Sequence, residues 1–357
     1  MKYSALLIAI ILFFSLHLPG QSQNPDYKSR VTEINQNINT VFYQPQTGLY
    51  IETNGKNDKP NSYLWPLCAL MQAANEEEQL TSKNEFIKPV LNAVKQYYNP
   101  NPPAPGYQAY VSKEGNDSRF YDDNQWIAIA ALDAYNRTGE KSYLALAEEI
   151  YRFMMTGFDD KTGGGLYWKE DEKNTKNTCS NGPGILVALQ LYKITKKNEY
   201  LKTAIELYNW TNKNLRDSNG IFYDAIKVPS LTIDSTRYTY NTGTMLQSNV
   251  LLFNITRDKK YLQEAQFIAG SAEKYFYKNE KLPGNYWFNV VLLRGYEELY
   301  KIEKKKDRLQ FFVADAERIW KDERDEKGLF GRKKDRTLID QAAMMEMYAR
   351  LERLKLD

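Results

Sequence analysis

Residues 138–154 read TGEKSYLALAEEIYRFM, and the phrase returns as TKKNEYLKTAIELYNWT at 195–211 and TRDKKYLQEAQFIAGSA at 256–272. Its Tyr-Leu pairs begin at Tyr143, Tyr200 and Tyr261. Each copy opens with a polar turn and continues with apolar residues three and four apart, the period of a helix that buries one face. A second helical pattern precedes each copy, at 124–136, 182–194 and 242–255. The repeating unit is therefore a helical hairpin.

Working outward from these three hairpins, the same alternation extends along the chain. Outer helices are predicted near 25–43, 84–98, 140–155, 198–214, 258–277 and 308–321. Inner helices are predicted near 63–76, 122–136, 180–195, 240–255, 285–301 and 338–355. Six of each, with no cap for an open solenoid, point to an all-α fold closed on itself as an (α/α)6 barrel of six hairpins. An open array of hairpins is the structural alternative. Alternating strand patterns are almost absent, which disfavours α/β architectures. At 357 residues the chain is long enough for one large domain, taken as 23–357.

A second marker recurs between hairpins: TGLY at 47–50, GGGLYW at 163–168, GIFY at 220–223 and GLF at 328–330. A glycine turn followed by an apolar-aromatic pair brings each loop back over the core before the next inner helix begins. The first turns of the inner helices are polar and aromatic, as in NSYLWP, YDDNQW, TCSNGPG, TYNTG, GNYWFN and LIDQ. In a closed ring these six N-termini converge on one rim, where a binding cleft is expected. Segments 99–119 and 224–239, long and rich in turn residues, are expected to shape it.

Asp122 and Asp123 stand together on that rim. One aspartate suffices to cap a helix N-terminus, so capping leaves the second unexplained. A neighbouring carboxylate pair instead suits glycoside hydrolysis with retention, in which one acid attacks the anomeric carbon and the other protonates the leaving oxygen. The pair Asp159–Asp160 sits beside a glycine-rich turn after an outer helix and reads as a solvated loop. Trp65, Trp126, Trp168 and Trp287 are candidates for stacking on sugar rings. Asn124, Asn181, Tyr240 and Asn241 are candidate polar contacts, each with a capping or packing role as the alternative.

Composition narrows the chemistry further. Residues 1–22 hold a lysine, an apolar run from Ala5 to Phe14, then Pro19, Gly20 and Ser22, the pattern of a signal peptide. The run is too short to span a bilayer. The expected location is thus periplasmic, cell-surface or extracellular, with no stable membrane insertion once the signal is removed. The only histidine, His17, lies in that segment. Removing it excludes serine–histidine hydrolysis, histidine bases and histidine-containing zinc sites. Two cysteines, Cys68 and Cys179, cannot build a cysteine-rich metal site, and their spacing leaves both a disulfide and two free thiols open. No metal and no cofactor are expected. Basic and acidic residues number 48 and 45, giving no electrostatic reason to expect nucleic acid. A monomer is expected.

The stretch YDDNQW at 121–126 resembles the signature of glycoside hydrolase family 76, the endo-α-1,6-mannanases. GGGLYW around Trp168 is similar to that family's glycine-rich segment, and TYNTG at 239–243 to its Thr-Tyr-Asn-Gln-Gly motif, with Thr242 in place of glutamine. Ile127 stands where the family often has a second aromatic. The resemblance implies an (α/α)6 barrel that hydrolyses α-1,6-mannan with retention. It makes Asp122 the nucleophile and Asp123 the acid/base, and places Tyr240 and Asn241 at the sugar site. A hydrolase of another α-glycan and a non-catalytic glycan-binding protein are the alternatives. Lyase or epimerase chemistry on this architecture would ordinarily call on histidine.

Overall fold

A computed structural model describes residues 25–356; the signal-peptide reading of residues 1–22 falls outside them. Twelve α-helices alternate in the described residues. The inner six are α2 (Leu64–Thr81), α4 (Tyr121–Thr138), α6 (Thr178–Thr195), α8 (Thr239–Thr256), α10 (Tyr286–Glu303) and α12 (Leu338–Leu354). The outer six are α1 (Tyr27–Val41), α3 (Ile87–Val94), α5 (Lys141–Met155), α7 (Asn198–Leu215), α9 (Lys259–Phe276) and α11 (Gln310–Asp322). Each inner helix packs on the next, and α12 packs on α2, so the ring is closed as an (α/α)6 barrel. The open-array alternative is overturned by that last contact. No described helix is long and apolar enough to cross a membrane.

Inner and outer helices differ as their sequences require. The outer helices bury one stripe, in which Tyr143, Tyr200 and Tyr261 of the repeated phrase belong to the core. The inner helices are buried nearly all round and rely on small residues where they cross. A Cβ on Gly243 of α8 would lie 2.6 Å from the Leu292 backbone of α10. A Cβ on Gly295 of α10 would lie 2.7 Å from the Gly243 carbonyl oxygen. All six inner helices end on a left-handed residue, namely Ser82, Gly139, Lys196, Arg257, Lys304 and Lys355. This reverses the chain toward the next outer helix.

Two elements depart from the sequence reading. Helix α2 runs to Thr81, five residues past its predicted end, because the acidic run Glu76–Glu78 is buried rather than solvated. Glu76 pairs with Arg350 and Arg353, and Glu78 with Arg137. The chain also forms small antiparallel sheets: β1 (Tyr43–Gln44) with β2 (Leu49–Tyr50), β3 (Tyr98–Asn99) with β4 (Gly106–Tyr107), and β5 (Thr175–Asn177), β6 (Tyr223–Lys227) and β7 (Ile233–Arg237) in order. The segment 224–239 is thus largely a hairpin, not an irregular loop. Its buried residues, Ala225 and Ile226, are adjacent instead of alternating, which hides the strand from a period-two reading.

The recurring glycine–aromatic marker has a mechanical role. Asn181, at the fourth position of α6, donates to the carbonyls of Leu166 and Asn177 and accepts from the Leu166 N–H at 2.8 Å. Asn124 of α4 binds the Tyr107 N–H and carbonyl in the same way. Gln341 of α12 does so for Phe330. In α8 the Thr242 hydroxyl accepts from the Phe222 N–H, so the residue that departs from the family motif still receives the loop. In these four helices one polar side chain thereby satisfies backbone groups of the loop that returns over the rim.

Candidate active site

The helix N-termini do converge on one rim, and a cleft of about 700 Å³ opens there. Asp122, Asp123, Trp65, Trp126, Trp168, Tyr240 and Trp287 all line it. Asn124, Asn181 and Asn241 do not. Their side chains are fully buried, and the first two are committed to the loops just described. Asn241 donates at 3.3 Å to Asp224, a cleft residue. An asparagine at a helix start has no sequence feature that separates facing the axis from facing a loop.

Asp122 and Asp123 lie in the first turn of α4, directly after the β-conformation residue Phe120 and Tyr121. Neither caps the helix: the N-cap position is Phe120, without a side-chain bond. Their environments differ. Asp122 accepts from the Trp168 indole N–H at 3.1 Å and the Asp123 amide at 3.0 Å. Burial raises its pKa to about 6, and those donors hold it there against a larger rise. Asp123 has burial and the neighbouring Asp122 charge acting in one direction, upward, with no donor to offset them. The pair is therefore unequal, Asp123 keeping its proton to higher pH than Asp122.

Aromatic rings wall the cleft. Trp287 packs edge-on against Trp126 at 5.2 Å and Trp65 at 6.0 Å, and Tyr240 stacks on Phe288 at 4.0 Å. Trp126 and Trp287 are each only 4% exposed, whereas Trp168, Tyr63 and Tyr238 present 37–40% of their surface. The Trp287 indole N–H is buried without a partner. The exposed rings offer flat surfaces to a polar ring-shaped ligand. Both predicted cleft-shaping segments reach the site: Asp117 and Ser118 from one, Asp224 and Tyr238 from the other. Arg119 ties the first down, donating to the Ala104 carbonyl at 2.8 Å and to Glu170. Asp159 is held by Lys176 at 2.7 Å and by the Tyr167 hydroxyl, outside the cleft.

Sequence reasoning passed over Asp224 and Asn177. Asp224 is a further carboxylate on the cleft wall, its pKa raised by burial, with Asn241 and Asn177 as donors at 3.3 and 3.4 Å. The available signal was its position directly after the third glycine–aromatic marker. Among the described residues no group of three or more His, Cys, Asp and Glu side chains is placed to hold a metal ion.

The sequence profile described as glycosyl hydrolase family 76 matches residues 26–327. A solved GH76 α-mannanase of Bacteroides thetaiotaomicron superimposes with a TM-score of 0.86 at 27% identity, covering 93% of this chain and 98% of that one. The meiotically up-regulated gene 191 protein of Schizosaccharomyces pombe is 28% identical over 263 residues, 69% of this chain and 59% of that protein. A mannan endo-1,6-alpha-mannosidase of Saccharomyces cerevisiae is 31% identical over 180 residues, 44% and 40% of the two chains. The matched regions thus span about 40–60% of the length of these curated relatives.

Proposed function

The chain belongs to glycosyl hydrolase family 76, and from that premise we propose that it is an endo-acting, retaining glycoside hydrolase that cleaves α-1,6-mannosidic linkages in mannan. The observation that carries this reading is the unequal acid pair at the base of an aromatic cleft. Asp122 is the ionised member, surrounded by donors, and serves as nucleophile. Asp123, kept protonated by burial and by its neighbour's charge, is the acid/base.

In this mechanism Asp123 gives its proton to the glycosidic oxygen while Asp122 attacks the anomeric carbon. The leaving chain departs with the proton, and a mannosyl ester forms on Asp122. Ester formation removes the charge that raised the Asp123 pKa, so Asp123 is then readily ionised and takes a proton from water. That water displaces Asp122 from the opposite face, and two inversions give net retention. Trp168 fixes the nucleophile through its indole N–H and presents an exposed ring for a neighbouring sugar. We assign further sugar contacts to Trp65, Trp126, Tyr240 and Trp287. Residues 1–22 act as a signal peptide and 23–357 as one catalytic domain, exported to the periplasm, cell surface or medium.

The test is incubation of the purified protein with linear α-1,6-mannan, following product length and the anomer first released by NMR. Short oligomers of α configuration, lost in both Asp122→Asn and Asp123→Asn, are expected. Intact polymer from folded wild type, even if tightly bound, would overturn the hydrolytic assignment.

A further inference from the structure

A second cavity, of about 320 Å³, opens at the end of the barrel opposite the acid pair. Its wall is drawn from the C-terminal halves of all six inner helices. Most of the charge on that wall is already spent. Arg294 is held by Glu346, Arg350 by Glu76 and Glu297, and Arg353 by Glu76. Arg137 is paired with Glu78, and Lys301 with Glu297. Of the cations lining the cavity, only the exposed Lys193 lacks a carboxylate among the described residues.

Three groups on the same wall are left over. Gln190 of α6 is 7% exposed, and its amide oxygen has no hydrogen-bond partner. The Arg353 Nε is likewise buried without an acceptor. Asp133 of α4 has no ion pair among the described residues, and its one hydrogen bond is accepted from Gln72 at 3.0 Å. A buried amide without a partner costs stability that a leucine of similar size would not, so packing does not explain Gln190.

The wall also selects the chemistry of what would satisfy these groups. An anion would meet arginines already committed, an unpaired carboxylate and the negative ends of six helices. A cation would meet four arginines and a lysine. A hydroxyl both donates and accepts, so a polyol can donate to Gln190 and Asp133 and accept from Arg353. Ile129 and Leu251 supply apolar surface for the C–H face of a ring. The volume is at the small end of ligand pockets and suits a single sugar ring.

We propose that this cavity is a second binding site, taking a neutral polyol of monosaccharide size through Gln190, Asp133 and Arg353. It lies away from the acid pair and does not rest on the hydrolytic reading.

The experiment is NMR of the whole protein, isotope-labelled in its glutamine amides and tryptophan indoles, titrated with methyl α-mannoside to about 100 mM. The Gln190 resonance, assigned through Gln190→Leu, is expected to move and to saturate in the millimolar range. The Trp168 indole reports the catalytic cleft separately. Gln247, on the same wall as Gln190, follows binding in the variants. Its midpoint should weaken about fivefold in Gln190→Leu and in Asp133→Asn, the loss of one hydrogen bond. A Gln190 resonance that stays fixed, or that answers inorganic phosphate instead of the mannoside, would overturn the proposal. So would a Gln247 midpoint unchanged in both variants. Should Gln190→Leu fail to fold, Asp133→Asn, which keeps the side-chain shape, decides alone. A wild type that leaves mannan intact would remove the hydrolytic reading without touching this one.

Discussion

Asp122 and Asp123 sit where a helix N-terminus favours negative charge, yet packing raises both pKa values. Hydrolysis by this pair needs Asp122 ionised and Asp123 protonated, so kcat/KM should fall on both sides of an optimum. The acidic limb should have a midpoint near the value of about 6 that burial sets for Asp122. The alkaline limb reports loss of the proton from Asp123; a profile flat down to pH about 4 would contradict this ordering. Stability follows the opposite sign. An acid whose folded pKa lies above its ordinary 3.8 destabilises the fold once it ionises, and the penalty grows between pH about 4 and about 6. Asp122→Asn should therefore raise the melting temperature by a few degrees at pH 7, and the gain should shrink toward pH 4. Part of this was legible in the sequence, since adjacent acids at an inner-helix start serve capping poorly. Their division of labour was not, because it depends on Trp168, 46 positions further along the chain.

Among the elements, the inner helices carry the least freedom. The crossing of α8 and α10 at Gly243 and Gly295 places backbone against backbone, so Gly243→Ala has no flexible side chain to displace. It should cost about 3 kcal/mol or more in denaturant unfolding, with loss of the cleft geometry. Asn181→Ala should cost about 2 kcal/mol, since it orphans the Leu166 N–H and carbonyl in a buried loop. It should also lower activity through Trp168, two residues from that anchor. The helix ends allow the reverse. Arg257 is exposed and left-handed at the end of α8, and Arg257→Gly should stabilise by about 0.5 kcal/mol, relief of strain exceeding the added unfolded-state entropy. The 3.6-residue period made eleven helices legible to within a few residues at each end. It failed at the end of α2, where a run of acids ordinarily means solvent and here means burial against arginines.

Those arginines belong to the whole molecule. Arg350 of α12 binds Glu76 of α2 at 2.8 Å, Glu297 of α10 at 2.7 Å and Glu346 at 2.7 Å, and Arg294 binds Glu346 at 2.7 Å. This buried network crosses the junction where the last inner helix meets the first, far along the barrel from the acid pair. Arg294 also lies over the Trp126 ring at 5.4 Å, linking the network to the cleft wall. Arg350→Met would remove the cation that three buried carboxylates share, leaving Arg294, Arg353 and Lys301 to carry them, and a loss of about 3 kcal/mol at neutral pH is expected. The arginines also hold Glu297 down at about 2, first against burial, so its contribution is present above its ordinary value of 4.5 and lost as pH falls toward 2. A thermal melt of Arg350→Met indistinguishable from wild type would mean the ring closes on apolar packing alone.

The alternation of helices, the count of six hairpins and the acid pair at the start of an inner helix are legible in the sequence alone. These are periodic or local properties, set by 3.6-residue spacing and by turn chemistry that needs no distant partner. Closure of the ring comes from the packing of α12 on α2, and which polar rim residues face the cleft is likewise settled in three dimensions. Asn124 and Asn181 look equivalent to any sugar ligand in the sequence, yet their amides are spent on loop backbones. Asp224, which reads as a turn residue, stands on the cleft wall. The physical reason is that a buried hydrogen-bonding group must find a partner, and which partner it finds is a matter of three-dimensional distance, not of position along the chain.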